Sequence, residues 1–566
     1  NFNIDWRIVP SLRLQGRFSY TKQLDKSEKF LSPKSVEFAY MLASIENAEK
    51  KKGSYYIKNG KSNKIDANMT LSYFKNIGKH VVNVGVGGNW MMTDDRADWY
   101  KAVGFVSESI DFIGAGTAFE DNSTPSGSFD KTRLVGFFGN FNYGYDNRYF
   151  IDLSYRTDGS SKFGRNSRFA SFWSAGIAWN VHKEHFTGWN EKNALKLRFS
   201  VGSTGSVNFN SSQAMTTYTY DFDNEYNGYY GVMLEGYGNP KLKWQSTIAY
   251  NLGTDWTLLK GRLQLNADAY IKMTDNLLLP IDVAPSTGFY SYTENLGKLE
   301  NKGIEGRLRG NILENRAKDL NWNITLAVFK NVNKIKKLSN ELEKMNEEAR
   351  KEGNLKGGSV YREYAEGRSQ SALMIVRSAG IDPATGNEVF IKRDGSYTFV
   401  YDYRDKVNVG DVMPKVEGNI NSNLNWKGMN LYLLFRYRYG GKQFNSTLAD
   451  KVENDWQHYQ RVRNKDKRAL YDRWMNPGDN ALYRRIDEKT NTYQTTRLVQ
   501  DDNLFSLESI SLSYDLPLKY ASRIGAERIK LMLSTTDVFR ISTIKQERGT
   551  AYPFARTFTA GLNVTF

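Results

Sequence analysis

Cysteine is absent from this 566-residue chain, which excludes a disulfide framework, a thiolate metal site and a cysteine nucleophile. Histidine is scarce at 4 and proline at 11. Long apolar runs are missing as well. No stretch reaches the roughly 18 apolar residues of a spanning helix, and mean hydropathy is −0.60. That excludes helical spans but leaves open a transmembrane β-barrel, in which only alternate residues face lipid. Catalytic motifs are also lacking. The string Gly159-Ser160-Ser161 has no strand, elbow and helix around it, and Gly202 to Gly205 is followed by no Gly-Lys-Ser/Thr. The chain is expected to hold no catalytic residue, no cofactor and no metal.

What is abundant is aromatic side chain, at 35 Tyr, 31 Phe and 12 Trp, together with 47 Gly. Rings of this kind collect at the two interfaces of a barrel. The formal charge is +16. It is scattered among strand-like segments, so nucleic acid is not the expected partner; the charge is expected in a barrel lumen and in loops facing anionic lipopolysaccharide or periplasmic anions, with outer-membrane lipid and lipopolysaccharide around the wall. Asn1 to Val9 already read as strand and no signal peptide is visible. The chain therefore reads as a mature fragment of an outer-membrane protein.

Hydrophobicity alternates with period two. Phe558, Ala560, Leu562, Val564 and Phe566 alternate with Thr557, Thr559, Gly561, Asn563 and Thr565. Leu263, Leu265, Ala267, Ala269 and Ile271 alternate with Gln264, Asn266, Asp268, Tyr270 and Lys272, and similar runs occupy 149–156, 195–202 and 429–439. One face is apolar and the other wet, as in a half-buried strand. The pattern predicts strands at 2–8, 11–21, 65–74, 79–92, 132–145, 147–158, 168–181, 194–205 and 245–258. It continues with 261–274, 300–312, 319–334, 415–426, 428–440, 503–516, 525–539 and 556–566.

Short connections alternate with long ones. Asp146-Asn147, Lys260-Gly261 and Lys427-Gly428 have hairpin chemistry, whereas 22–64, 93–131, 206–244, 335–414 and 441–502 are long. A sandwich has no reason to keep that asymmetry. Outer-membrane barrels do, with short periplasmic turns and long extracellular loops. The fold class is all-β, an antiparallel transmembrane barrel. Seventeen is an odd count, and single-chain bacterial barrels have an even number of strands. Within the loop 335–353, Glu341, Glu343, Lys344, Glu347 and Glu348 predict a short charged helix.

Several strings then occur in order: TDGSSKFGR at 157–165, LKLR at 195–198, GSTG at 202–205 and GNPKLKW at 238–244. STGF at 286–289, NLGKLENKGIE at 295–305 and the closing YPFARTFTAGLNVTF at 552–566 follow. Together they resemble the SusC/RagA family of TonB-dependent transporters of Bacteroidota, from about Asp130 to Phe566. The resemblance implies a barrel of about 22 strands around an N-terminal plug. On that basis the chain is one domain, 1–566, holding about 17 of those strands, with the plug, the TonB-binding segment and the first strands lying outside it. It further implies a SusD-like surface lipoprotein as cap, energy from the TonB complex, oligosaccharides or peptides as cargo, and a dimer of transporter–lipoprotein pairs. Two other functions stay open: a SusC-like barrel serving as scaffold in a surface complex, and a passive porin.

Candidate binding residues come from the loops and the lumen. Trp99, Tyr218, Tyr220, Tyr226, Tyr229 and Tyr230 fall in long loops, where rings stack on substrate or partner, or pack among themselves. Arg198, Arg307, Arg309, Arg436 and Arg438 fall on the wet face, where they guide an anionic substrate or pair with a plug or with acids such as Asp268 and Glu305. His182 and His185, three apart in a turn, lack an evident third ligand. His80 and His458 are isolated. Asp221, Asp223 and Glu225 alternate as oxygen ligands could, without an EF-hand register. Asp382 to Gly386 reads as a turn.

Overall fold

The computed structural model describes the chain except for residues 36–37, 39–50, 121–124, 165–166, 190–192, 207–210, 237, 283–290, 296, 339–342, 344–364, 455–465, 489 and 545–555. Its main sheet has eighteen strands; one of these, Gly116–Phe119, is a short pairing on the end of another, which leaves seventeen in the wall. In chain order they are β1 Phe2–Val9, β2 Leu12–Leu31, β3 Ser54–Ile77, β4 His80–Phe105, β5 Ser126–Tyr145, β6 Tyr149–Ser160, β7 Phe169–Asn180, β8 Ala194–Ser206 and β9 Gln245–Leu258. The remainder are β10 Leu263–Asp275, β11 Lys298–Asn315, β12 Leu320–Lys337, β13 Val416–Trp426, β14 Met429–Phe444, β15 Val499–Asp515, β16 Arg528–Ser542 and β17 Phe558–Thr565. Each pairs antiparallel with its neighbours in sequence, an up-and-down meander with every expected strand present.

Register separates two faces. Across β2 to β5, Phe18, Ala67, Trp90 and Val135 stand in one row, and the adjacent row is Arg17, Asn68, Asn89 and Gly136. The first row is apolar and well exposed, with Phe18 at 47% and Trp90 at 40%. Large apolar side chains exposed along a whole sheet face are explained by lipid on that side. The short connections are tight because their residues accept positive φ. Asp146 and Asn147 lie at φ 52° and 53°, and Lys427 and Gly428 at 48° and 81°. These primed turns match the twist of the flanking strands.

Strand lengths differ from expectation at the far end. The described residues of segments 22–64 and 93–131, expected as loops, are largely strand. β2 and β3 stay paired from Leu12↔Tyr73 to Leu31↔Ser54, and β3 with β4 from Ile77↔His80 to Ser54↔Val103. A membrane crossing needs about 9–11 residues, so these strands project well beyond the lipid. The apolar alternation stops there because both faces meet water, yet β2, β3 and β4 continue because their pairing with one another continues and satisfies backbone groups along the shared edges. At the tip, Phe30, Tyr55 and Phe105 pack together, with Phe30 and Phe105 edge to face at 5.3 Å. The helix expected in 335–353 is also corrected at its start, since Ile335 to Lys337 end β12. Its remainder, apart from Leu338 and the helical Glu343, lies outside the described residues.

Candidate functional site: lumen wall and extracellular vestibule

The lumen candidates sit on β11 and β14. Arg307, Ala327, Asn419 and Arg436 form one inward row across four strands, so the two arginines stand about 14 Å apart at three strand spacings. Arg309 lies one inward position nearer the short turns. Arg438 lies one position nearer the long loops. Arg436 faces Glu417 at 3.8 Å, and Arg438 is paired with Asp502. Arg198 bridges Asp255 at 3.0 Å and Asp268 at 3.3 Å. Arg307 and Arg309 carry no ion pair among the described residues and are exposed to the lumen.

Asparagine is the lumen feature the strand reading overlooked. Asn419, Asn421, Asn423 and Asn425 all face inward on β13, and Asn430 donates to Asn423 at 2.7 Å and to Asn425 at 2.6 Å. The signal was there as period two in NINSNLN, with the asparagines on the wet face. Amides that donate and accept suit an uncharged polar ligand or a backbone.

The loop aromatics divide. Tyr226 and Tyr229 flank the Asn227-Gly228 turn of a two-stranded arm, Thr217–Tyr226 with Tyr229–Gly236. They are 86% and 78% exposed. Tyr218, Tyr220 and Tyr230 are exposed on the same arm. Trp99 is corrected from loop to strand. It lies within β4 on the inner face of the projecting wall, half-buried, with the Lys58 ammonium 5.3 Å from its ring centroid. The structure does not bring Trp99 to the tyrosine arm, because β5 to β8 lie between them along the wall.

Two long connections fold into a lobe that the strand pattern could not show. Between β12 and β13, strands at Ala372–Ile381, Glu388–Ile391, Tyr397–Thr398 and Lys406–Asp411 form a small sheet. The connection between β14 and β15 packs on it through a Val376↔Thr495 bridge. A buried charge network joins the two. Arg497 holds Glu388 at 3.0 Å and Glu453 at 2.8 Å, and Arg484 lies 3.4 Å from Glu453. Arg473 donates to the Val452 and Glu453 carbonyls at 2.8 and 2.9 Å. Thr495 donates to Glu388 at 2.6 Å and Thr492 to Glu453 at 2.7 Å. The expected Asp382 turn is present, its carboxylate accepting from Thr385.

Burial pushes the Glu453 carboxyl up, but Arg497 and Arg484 beside it outweigh burial and hold it below the ordinary carboxylate range. A carboxyl depressed in the folded state lends stability that is full above its unfolded pKa. That stability is lost as pH falls through the folded value. The lobe is therefore expected to stay ordered through mildly acidic pH and to open only below the usual carboxylate range. Hydrogen exchange followed against pH at Ala372–Ile381 checks this; opening near neutral pH would contradict it.

Strings separated in sequence meet beneath the arm. Phe163 of TDGSSKFGR stacks on Trp244 of GNPKLKW at 4.7 Å, around the buried Leu242. Gly164 lies so close to Pro240 that a Cβ would strike its carbonyl oxygen. Asn295 of NLGK accepts from the Lys243 amide at 2.7 Å and donates back to its carbonyl at 2.8 Å. His182 Nδ1 lies 3.1 Å from the Leu195 carbonyl, and His185 Nε2 lies 3.4 Å from Arg148. No metal-binding group of three occurs among the described residues. The side chains of Asp221 and Asp223, and all of His458, lie outside them.

Comparisons with known proteins agree with this architecture. The family model described as TonB dependent receptor-like, beta-barrel matches residues 1–358, so the likeness reaches well before Asp130. TonB-dependent receptor P3 of Formosa agariphila is 27% identical over 88% of this chain and 52% of its own length. TonB-dependent receptor SusC of Bacteroides thetaiotaomicron is 33% identical over 37% of this chain and 21% of its own length. A solved structure titled the RagAB peptide transporter superposes with a TM-score of 0.81 at 22% identity, over 99% of this chain and 61% of that one. The chain spans about half the length of the P3 relative. With a lipid-facing apolar band, a polar lumen and turns all at one end, it belongs to the TonB-dependent receptor-like β-barrel family of the bacterial outer membrane.

Proposed function

We propose that this chain supplies the wall and outer vestibule of an energised importer for polar oligomers, oligosaccharides or peptides, across the outer membrane. The observation that carries the reading is the vertical order of surfaces. Exposed tyrosines stand at the extracellular end, and a lumen of asparagines with the exposed Arg307 and Arg309 lies below them. Rings at the mouth capture a weakly bound oligomer; amides and guanidinium groups exchange hydrogen bonds with it on the way down. A SusD-like lipoprotein caps the vestibule and the TonB complex supplies the energy, in a dimer of transporter–lipoprotein pairs. The chain performs no covalent chemistry.

Deleting the gene is expected to abolish uptake of at least one oligosaccharide or peptide, and a SusD-like lipoprotein is expected to co-purify. Unchanged uptake of every candidate would leave the scaffold role instead. Within the protein, Tyr226→Ala with Tyr229→Ala should cut uptake at limiting substrate about tenfold, since each ring contact contributes roughly 0.5–1.5 kcal/mol. Uptake at saturating substrate should change little. Equal loss at both concentrations would place the tyrosines outside capture.

A further inference from the structure

On the lipid face of β1 to β5 the rows leave an open apolar groove. It is lined by Gly16, Ala67 and Gly88 together with Phe2, Phe18, Met69, Trp90 and Phe137, Met69 standing between Gly16 and Gly88 in one row. Three small residues on adjacent strands remove side chains from a surface otherwise built of large ones, which makes room for a chain of methylenes. The groove encloses about 360 Å³.

Above it toward the extracellular end, the outward rows change character. Tyr20, Ile65, Met92 and Arg133 come first, then Lys22, Asn63, Asp94 and Lys131, then Leu24, Lys61, Arg96 and Phe129. Tyr20 and Trp90, both outward, mark the headgroup level where such rings settle. Arg133 stands about 7 Å above Val135 along β5, and Lys131 about 13 Å. Lys22 and Lys131 are three strand spacings apart, about 14 Å. The acid among them is Asp94, 14% exposed, which faces Arg96 at 3.2 Å and Lys131 at 4.0 Å. Arg96 also lies 4.9 Å from the Phe129 ring centroid. The Lys22, Lys61 and Arg133 side chains have no ion pair among the described residues. Five cations against one carboxylate leave a clear excess of positive charge, directly over an apolar slot, at the depth of the headgroups.

We propose that this face is a specific site for a phosphorylated, acylated lipid of the outer leaflet. An acyl chain lies in the Gly16–Ala67–Gly88 groove, and the headgroup phosphate is held by Arg133, Lys131 and Lys22. Charge complementarity identifies the occupant. A zwitterionic lipid would set its amine against the same cations, and a protein partner would find its contact surface interrupted by membrane.

The test uses the full-length protein, purified and placed in phosphatidylethanolamine nanodiscs doped with phosphorylated lipid A or with the same lipid after phosphate removal. Retained lipid is read by native mass spectrometry. The wild type should keep the phosphorylated form and release the dephosphorylated one. Lys22→Gln with Lys131→Gln and Arg133→Gln should weaken retention about a hundredfold, at the usual increment per surface cation. Gly16→Leu fills the groove where a Cβ meets nothing nearer than Ile4 at 3.6 Å, and it should weaken retention with every cation in place. Unchanged melting of both variants shows that the barrel is intact. Equal retention of the two lipids, or wild-type retention by the triple variant, would overturn the site, as would displacement of the lipid by inorganic phosphate alone.

Discussion

Replacing Arg497 with methionine is expected to unfold the extracellular lobe while the barrel beneath it keeps its melting temperature. Arg497 is the only cation that touches both Glu388 and Glu453 among the described residues. Without it, Glu388 loses its ion pair in a nearly dry setting, and Glu453 keeps Arg484 as its one ion-pair partner among the described residues, beside the Thr492 hydroxyl. Removing one member of a buried ion pair costs about 3–5 kcal/mol, because the remaining charge stays buried without compensation. The lobe's separate small cores, around Leu448, Val452 and Tyr483 and around Val376, Phe390 and Tyr401, are too small to offset that. Hydrogen exchange should rise in Ala372–Ile381 and in residues 445–454. Adding Glu453→Gln and Glu388→Gln should recover part of the loss, since the pair as a whole contributes less than its breakage costs. Protection equal to wild type in the Arg497 variant would show that the network is ornamental to the lobe.

Substituting arginine for Leu533 on β16 should cost the barrel about 2–4 kcal/mol of folding free energy in lipid vesicles, the range for a cation near the bilayer midplane. Arginine at the next residue, Ser534, should cost little. Leu533 is 57% exposed and stands in a row with Leu512 and Ala560. Ser534 stands between Ser511 and Thr559. One position along a strand turns a side chain from lipid to lumen. Denaturant titration of the two variants reads the contrast, and equal costs would contradict the assignment of faces.

How much of this was legible in the sequence depends on whether lipid was present. Inside the bilayer, period two is imposed by the solvent, so β6, β10 and β17 could be located from their own residues. Above it, β2, β3 and β4 extend through LDKSEKF, KNGKSNK and DDRADWY, where no face is apolar. Those stretches are strand because of their neighbours, and Trp99 was misplaced for that reason. The lobe was illegible for a different cause. Glu388, Glu453 and Arg497 are scattered over more than a hundred residues, and each looks like an ordinary surface charge until the two connections meet. The tyrosine arm was legible only as exposed aromatic loop; its Asn227-Gly228 turn is a local hairpin signal that the strand reading passed over.

By itself, then, the sequence determined the wall: the number of strands, their order, which side meets lipid, and which end carries the long connections. Alternation and turn chemistry are local, and the bilayer makes local pattern decisive. Only the tertiary structure decided what stands on that wall. The rows Arg307–Ala327–Asn419–Arg436 and Lys22–Asn63–Asp94–Lys131 exist through register between strands, and register is a property of pairs. The Arg497 network exists through burial of charges drawn from distant segments, and nothing in either segment alone requires the other.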